Sequence, residues 1–319
     1  MSLNKHQTNT NPLKFLVERS QTTIYNIYME KLHSPVLLSE VLASLSPKPG
    51  ESYLDLTAGY GGHAEKILDV TQNYKDSVLV DRDNYAVDYL QQKFKNTGIT
   101  IIHNDFYSSV LQLLESGKTF DIVLADFGVS SPQLDMESRG FTFKSEAPLD
   151  MRMDQRQKLT ADTIVNHWNE QSLSEIFAKY GEESPGRAKM FAREIVYHRP
   201  LHTTKELADL IKSKTYTHKK VHPATRIFQA IRIAVNDELG IIKQTLPLLP
   251  DLLNKNGRLS IITFHSLEDR LVKEFLKSET EKGEESRLEV EKKLITAGNE
   301  ELFINPRARS AKLRIATRN

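Results

Sequence analysis

A chain of 319 residues with 39% hydrophobic and 27% charged side chains has the composition of a folded, water-soluble protein, with room for two domains or for one domain carrying a large insertion. Its formal net charge is only +1, which excludes recognition of a polyanion by bulk basicity and leaves local clustering as the means. The absence of cysteine removes disulfides, thiolate zinc sites and any thiolate nucleophile, including the one needed for carbon-5 methylation of cytosine, whereas methylation of an exocyclic nitrogen needs none.

No apolar run reaches the ~18 residues of a membrane span, and no signal-peptide core precedes the first charged residues, so a cytoplasmic protein is expected. Residues 1–30 read as a polar N-terminal extension. The fold is expected to begin near Lys31, with Ser34 capping a helix, Pro35 at its first position, and Val36, Leu37, Val41 and Leu42 as its buried stripe. His33 is read as a structural or pocket-edge residue.

Leu54-Asp55-Leu56-Thr57-Ala58-Gly59-Tyr60-Gly61-Gly62-His63 turns a short apolar run through three glycines into a helical pattern at Ala64 to Leu68. This is a strand, a tight turn and a helix start, which gives free N–H groups and close main-chain access to a polar ligand. A second apolar strand, Ser77 to Asp83, brings the acid Asp81 ~20 residues past the glycines, where a carboxylate can accept hydrogen bonds from a ribose. Thr100 to Phe106 gives a third strand whose Phe106 could flank an aromatic ring. Phe120 to Asp126 gives a fourth, and Asp126 leads into Phe127-Gly128-Val129-Ser130-Ser131-Pro132-Gln133, where the reacting end of a bound ligand would lie.

From Leu134 the alternation of strand and helix stops. Arg139 to Phe143 and Pro148 to Asp154 read as ordered loop, and helical spacing follows over Thr160 to Tyr180 and Ala188 to His198. Thr203 and Glu206 stand at capping-box spacing at the start of another helix. These segments are expected to form an inserted helical domain over residues 134–222. Ile211 to Val235 carries six Lys and Arg and no acid, and a helix from Ala224 sets Arg226, Gln229, Arg232 and Asn236 on one arc, a pattern suited to phosphate contact. Gly257 to Phe264 is a fifth strand ending at His265. One histidine and no cysteine there argue against a metal site. Glu279 to Lys292 reads as an exposed charged stretch, and Lys312 to Ala316 as a last strand after the basic Arg307 and Arg309.

Several strings in this chain closely resemble the bacterial 16S ribosomal RNA cytosine-N4 methyltransferase family: His33 to Leu38, the Gly61-Gly62-His63 loop, Asp126 to Asp135, Pro148 to Asp154, His222 to Arg226 with Phe228-Gln229-Ala230, Phe264 to Arg270, and Asn305 to Arg314. The resemblance runs from about residue 33 to the end. It implies an α/β fold of the class I methyltransferase (Rossmann-like) kind, a mostly parallel sheet with a helical insertion domain, the methyltransferase domain being 31–133 together with 223–319. It further implies S-adenosyl-L-methionine as cofactor and a decoding-region cytosine of 16S rRNA as substrate, met within the small ribosomal subunit. By motif position, Gly61, Gly62, His63, Asp81, Phe106, Asp126 and Gln133 would contact the cofactor. The acceptor at the reacting amine is left open between Asp126 and the backbone carbonyls near Ser130 and Ser131, and Arg152, Arg226, Arg232, His265, Arg307 and Arg309 are expected on the RNA side. A noncatalytic, cofactor-binding assembly factor is the competing reading. A nicotinamide dehydrogenase fits less well, because Gly-Tyr-Gly-Gly-His breaks the Gly-x-Gly-x-x-Gly spacing.

Overall fold

A computed structural model describes residues 35–215 and 222–319. His33 and Ser34, the N-terminal extension, and the His218, Lys219 and Lys220 part of the basic stretch lie outside the described residues.

Five strands run parallel in the order β3 (Thr100–His103), β2 (Val78–Asp81), β1 (Tyr53–Asp55), β4 (Phe120–Asp126) and β5 (Leu253–Thr263). Antiparallel β8 (Lys312–Arg318) pairs with β5, and β6 (Leu288–Val290) and β7 (Ile295–Thr296) both pair with β8. Residues alternate between the two faces with the period of two that a strand imposes. Leu54, Val78, Val80, Val123, Ala125 and Ile261 join one apolar cluster, while Tyr53, Leu79, Ile122, Leu124 and Ile262 join the other. The first face is covered by α4 (Phe106–Glu115), α11 (Glu238–Thr245) and α12 (Ser266–Glu281), and the second by α1 (Leu38–Leu45), α2 (Gly62–Thr71) and α3 (Asn84–Lys93). Strand order reverses between β1 and β4, so a crevice opens at the carboxyl ends of those two strands, where doubly wound sheets bind their ligands.

After α5 (Ser131–Asp135) the chain enters a separate helical core. It consists of α6 (Ala161–His167), α7 (Glu170–Lys179), α8 (Pro185–Tyr197), α9 (Thr204–Ser213) and α10 (Ala224–Asn236), closed by Leu149, Met151, Phe191 and Ile231. The expected boundary at residue 222 falls before α10, yet Ile227, Phe228, Ile231 and Val235 of α10 pack in the helical core.

Four other expectations need correction. The first described helix begins at Leu38, three residues beyond Pro35, because Leu37 is left-handed (φ 56°) and its N–H is taken by Glu301 Oε1 at 2.7 Å. Thr160 to Tyr180 is two helices, since Asn169 caps the second by accepting the Ser172 N–H. Strand β5 starts four residues before Gly257. Finally, Glu279 to Lys292 is exposed over most of its length as expected, but Glu279 is buried between Lys282 and Arg287, and Leu288 to Val290 is a sheet strand. The last helix, α13 (Asn299–Ile304), precedes β8.

Candidate active site

Every strand of the parallel set delivers polar side chains to the same edge. At the end of β1, Asp55 accepts hydrogen bonds from the Tyr53 hydroxyl (2.7 Å) and the Thr57 N–H (3.1 Å). At the end of β2, Asp81 accepts from Gly59 N–H through one oxygen (2.7 Å) and Asp83 N–H through the other (2.8 Å). Each Asp81 oxygen keeps a lone pair for a ligand hydroxyl. The Asp126 N–H at the end of β4 is tied to Thr57 Oγ1 at 2.6 Å, which locks the two loops that flank the crevice together. His63, the second residue of α2, has its Nε2 3.8 Å from Asp126 Oδ2.

Burial dominates the electrostatics of this edge. It raises Asp55 to about 7 against its hydrogen bonds, and Asp81 to about 6, each burdened also by a neighbouring carboxylate. Asp126 is pushed well above the usual carboxylate range by burial first, then by the charges of Asp55 and Glu268. Burial lowers His63 to about 4, so its imidazole is neutral at physiological pH. Oδ1 of Asp126 is buried without a hydrogen-bond partner, beside the buried His63 ring, which contacts the Val36 backbone. Buried polar atoms normally have partners, so this orphan on the crevice wall marks a place prepared for a ligand.

The three glycines of the loop differ in purpose. A Cβ on Gly62 would stand 2.6 Å from the Pro35 ring, and one on Gly61 would stand 3.0 Å from Leu90, so these two permit α2 to pack closely. Gly59, with φ +52°, would bring a Cβ no nearer than 3.9 Å to the Thr57 carbonyl oxygen and points its N–H at Asp81, so it is the least crowded of the three. Phe106 opens α4 with its ring 5.4 Å from that of Phe127, at the β3 and β4 side of the crevice. Gln133 is buried and already committed: its Oε1 accepts the Ser130 N–H and its Nε2 donates to Asp83. It shapes the loop after β4 through a capping box on α5.

The residues expected on the RNA side differ in what holds them. Arg152 pairs through two nitrogens with Asp150 and also donates to the carbonyls of Gln155 and Gln157. Arg232 is held by both oxygens of Glu238 at 2.8 and 2.9 Å. Arg226 is exposed and donates to the Glu182 carbonyl, Arg307 pairs with Asp135, and Arg309 is exposed. His265 caps α12 at the carboxyl end of β5. Asp55 and Gly59 escaped the sequence reading of individual site residues. Asp55 nevertheless carries the signal that found Asp81 and Asp126, an acid closing an apolar strand.

Strand order 3-2-1-4-5 with an antiparallel strand beyond, a glycine turn after β1 and acids ending β1, β2 and β4 define a class I methyltransferase, the class that takes its methyl group from S-adenosylmethionine. Within it, the chain belongs to the MraW methylase family, which matches residues 30–319. It is 47% identical over 292 residues to ribosomal RNA small subunit methyltransferase H of Cyanothece sp., covering 91% of this chain and 95% of that protein. The protein of the same name from Synechocystis sp. is 45% identical over 294 residues, with 89% and 92% covered. Among solved structures, TrmN from Thermus thermophilus aligns with a TM-score of 0.41 and 10% identity, over 89% of this chain and 48% of that one. The family assignment rests on the sequence matches.

Proposed function

We propose that this enzyme transfers a methyl group from S-adenosylmethionine to the exocyclic N4 of a cytosine in the decoding region of 16S rRNA, within the small ribosomal subunit. A cytoplasmic location follows from that substrate, and no helix among the described residues is long and apolar enough to cross a membrane. The observation that carries the reading is Asp126, a carboxylate at the β4 end with one orphaned oxygen, facing the neutral His63 across the mouth of the crevice.

The crevice suits the cofactor on its own chemistry. Its orphaned Asp126 oxygen, the left-handed turn at Gly59 and three clustered carboxyls complement a cation with a ribose and an amino acid end. When bound, the cofactor supplies an electrophilic methyl on sulfur. Asp81 would hold the ribose hydroxyls, Gly59 would let the amino acid end approach the backbone, and Phe106 would flank the adenine. Cytosine N4 is a weak nucleophile because its lone pair is delocalised, so the enzyme must orient it and accept hydrogen bonds from the amine as it pyramidalises. Asp126 Oδ1, buried and unpartnered, would accept one N4–H and, its pKa being raised, take up that proton as the N–C bond forms and the S–C bond breaks. Since a stacked base is out of reach, the target must be turned out of its helix or loop.

The test is incorporation of labelled methyl from S-adenosylmethionine into small-subunit particles lacking the modification, with the modified nucleotide mapped. N4-methylcytosine is expected from the wild type. Asp126→Asn should slow transfer by ~100-fold or more while keeping the melting profile. Donor binding without any incorporation would leave only a noncatalytic assembly role.

A further inference from the structure

We propose that Phe303 is a stacking platform for the substrate RNA: its bare ring receives the unpaired base next to the target cytosine and holds the strand open while the target occupies the crevice. The inference rests on the function proposed above and adds a residue to its substrate side.

Exposure comes first. Phe303 is 89% exposed and its neighbour Ile304 68%, and among the described residues no large apolar side chain is barer than Phe303. Both belong to α13, whose Glu301 Oε1 accepts the Leu37 N–H at 2.7 Å. Two positions along an α-helix are ~200° apart, so with Glu301 turned inward to Leu37 the Phe303 ring is turned out to solvent.

Two ties hold this helix on the rim of the crevice. On one lip, Leu37 follows Val36, whose backbone the His63 ring contacts, and His63 Nε2 is 3.8 Å from Asp126 Oδ2. On the other lip, Arg307 pairs through both terminal nitrogens with Asp135, the last residue of α5, which follows the Asp126 loop. Phe303 and Ile304 stand between these two anchors, and each anchor leads back to Asp126 within a few residues.

Charge selects the occupant. From Asn305 to the end the chain has no acidic residue, and Arg309 is exposed and makes no ion pair among the described residues. A bare aromatic ring close to an uncommitted guanidinium is the combination that single-stranded RNA uses, its bases stacking and its phosphates pairing. An apolar protein partner would need a broader patch than two side chains flanked by exposed Glu300 and Arg307. Turning the target cytosine out uncovers one face of the adjoining base, and the Phe303 ring covers it.

The experiment uses small-subunit particles reconstituted with intact rRNA or with rRNA lacking the base on the 5′ or on the 3′ side of the target cytosine. Wild type should lose ~10-fold or more in kcat/KM when one of these two bases is missing. Phe303→Ala should lose a similar factor on the intact particle and lose nothing further when that base is removed, whereas Phe303→Trp should behave as wild type. Donor affinity by calorimetry should stay within about twofold in both variants, and their melting profiles should match the wild type. Wild-type kcat/KM in Phe303→Ala, no loss by wild type on either abasic particle, or an undiminished abasic loss in Phe303→Ala overturns the proposal. So does a dimer, seen by sedimentation, that Phe303→Ala dissociates without loss of methylation, since the patch would then serve self-association. Failure of wild type to methylate the intact particle overturns the underlying function and this inference with it, an outcome distinct from methylation that is indifferent to Phe303.

Discussion

At the scale of single residues, the acids of the crevice make donor binding depend on pH. An unfolded aspartate titrates near 3.9, whereas Asp55 and Asp81 in the fold titrate at about 7 and about 6. Between pH ~4 and ~7 the folded chain therefore holds more of these protons than the unfolded one, and their contribution to stability falls as pH rises through that window. His63, lowered to about 4, works in the opposite sense between about 4 and 6.5, one group against at least two. A sulfonium cation favours the ionised carboxyls, so S-adenosylmethionine should bind more tightly as pH rises from 5 to 8 and should release protons near pH 6.5. Titration calorimetry in two buffers of different ionisation enthalpy measures the release, and no difference between the buffers would refute it. The neutral thioether product should show a weaker dependence.

Residue by residue, legibility followed sequence distance. Asp81 and Asp126 were readable because each ends an apolar strand just before polar turn residues. Asp55 was less visible because apolar Leu56 follows it. The pairing of Arg232 with Glu238 was not legible because the partner lies past a helix break: Asp237 is left-handed (φ 46°), and this turn folds Glu238 back onto the arginine. Six residues of spacing give no hint of that.

At the scale of elements, the strand-turn-helix at β1 and α2 was recognised whole, but its glycines serve two ends that a string of letters does not separate. Gly62→Ala would drive a methyl into Pro35, and overpacking of this kind costs ~1–3 kcal/mol, seen as a lower urea midpoint. Gly59→Ala has space for its methyl but an unfavourable φ, with ~1–2 kcal/mol of strain, and should damage donor affinity more than Gly62→Ala does. Equal loss of donor affinity in both variants would count against the distinction. Helix α10 was correctly read as amphipathic, with Ile227, Ile231 and Val235 buried. What its other face meets was not legible: Gln229 donates to the Tyr180 carbonyl, and Asn236 bridges Met151 and Met153. Polar side chains at helical spacing read alike whether they face solvent, phosphate or another chain segment.

At the scale of the molecule, the sheet and the helical core are fastened by polar ties between segments far apart in sequence. Asp83 and Arg139, both buried, form an ion pair at 2.9 Å, and Arg139 also donates to the carbonyls of Arg152 and Met153. Arg82 reaches the Asn236 carbonyl from the same side. Arg139→Met would strand the Asp83 charge and is expected to cost ~3–5 kcal/mol in urea unfolding. Adding Asp83→Asn should restore part of that loss, and a double variant no more stable than the single one would show the ion pair to be dispensable.

The sheet's far side also fixes an order of assembly. Among the described residues β6 and β7 pair only with β8, which follows both in the chain and is wedged between β5 and β6. During synthesis the two earlier ribbons must wait beside an unfilled slot until residues 312–318 have left the exit tunnel. Until then β5, the strand that leads to His265, is a bare hydrogen-bonding margin open to strand pairing with another nascent chain.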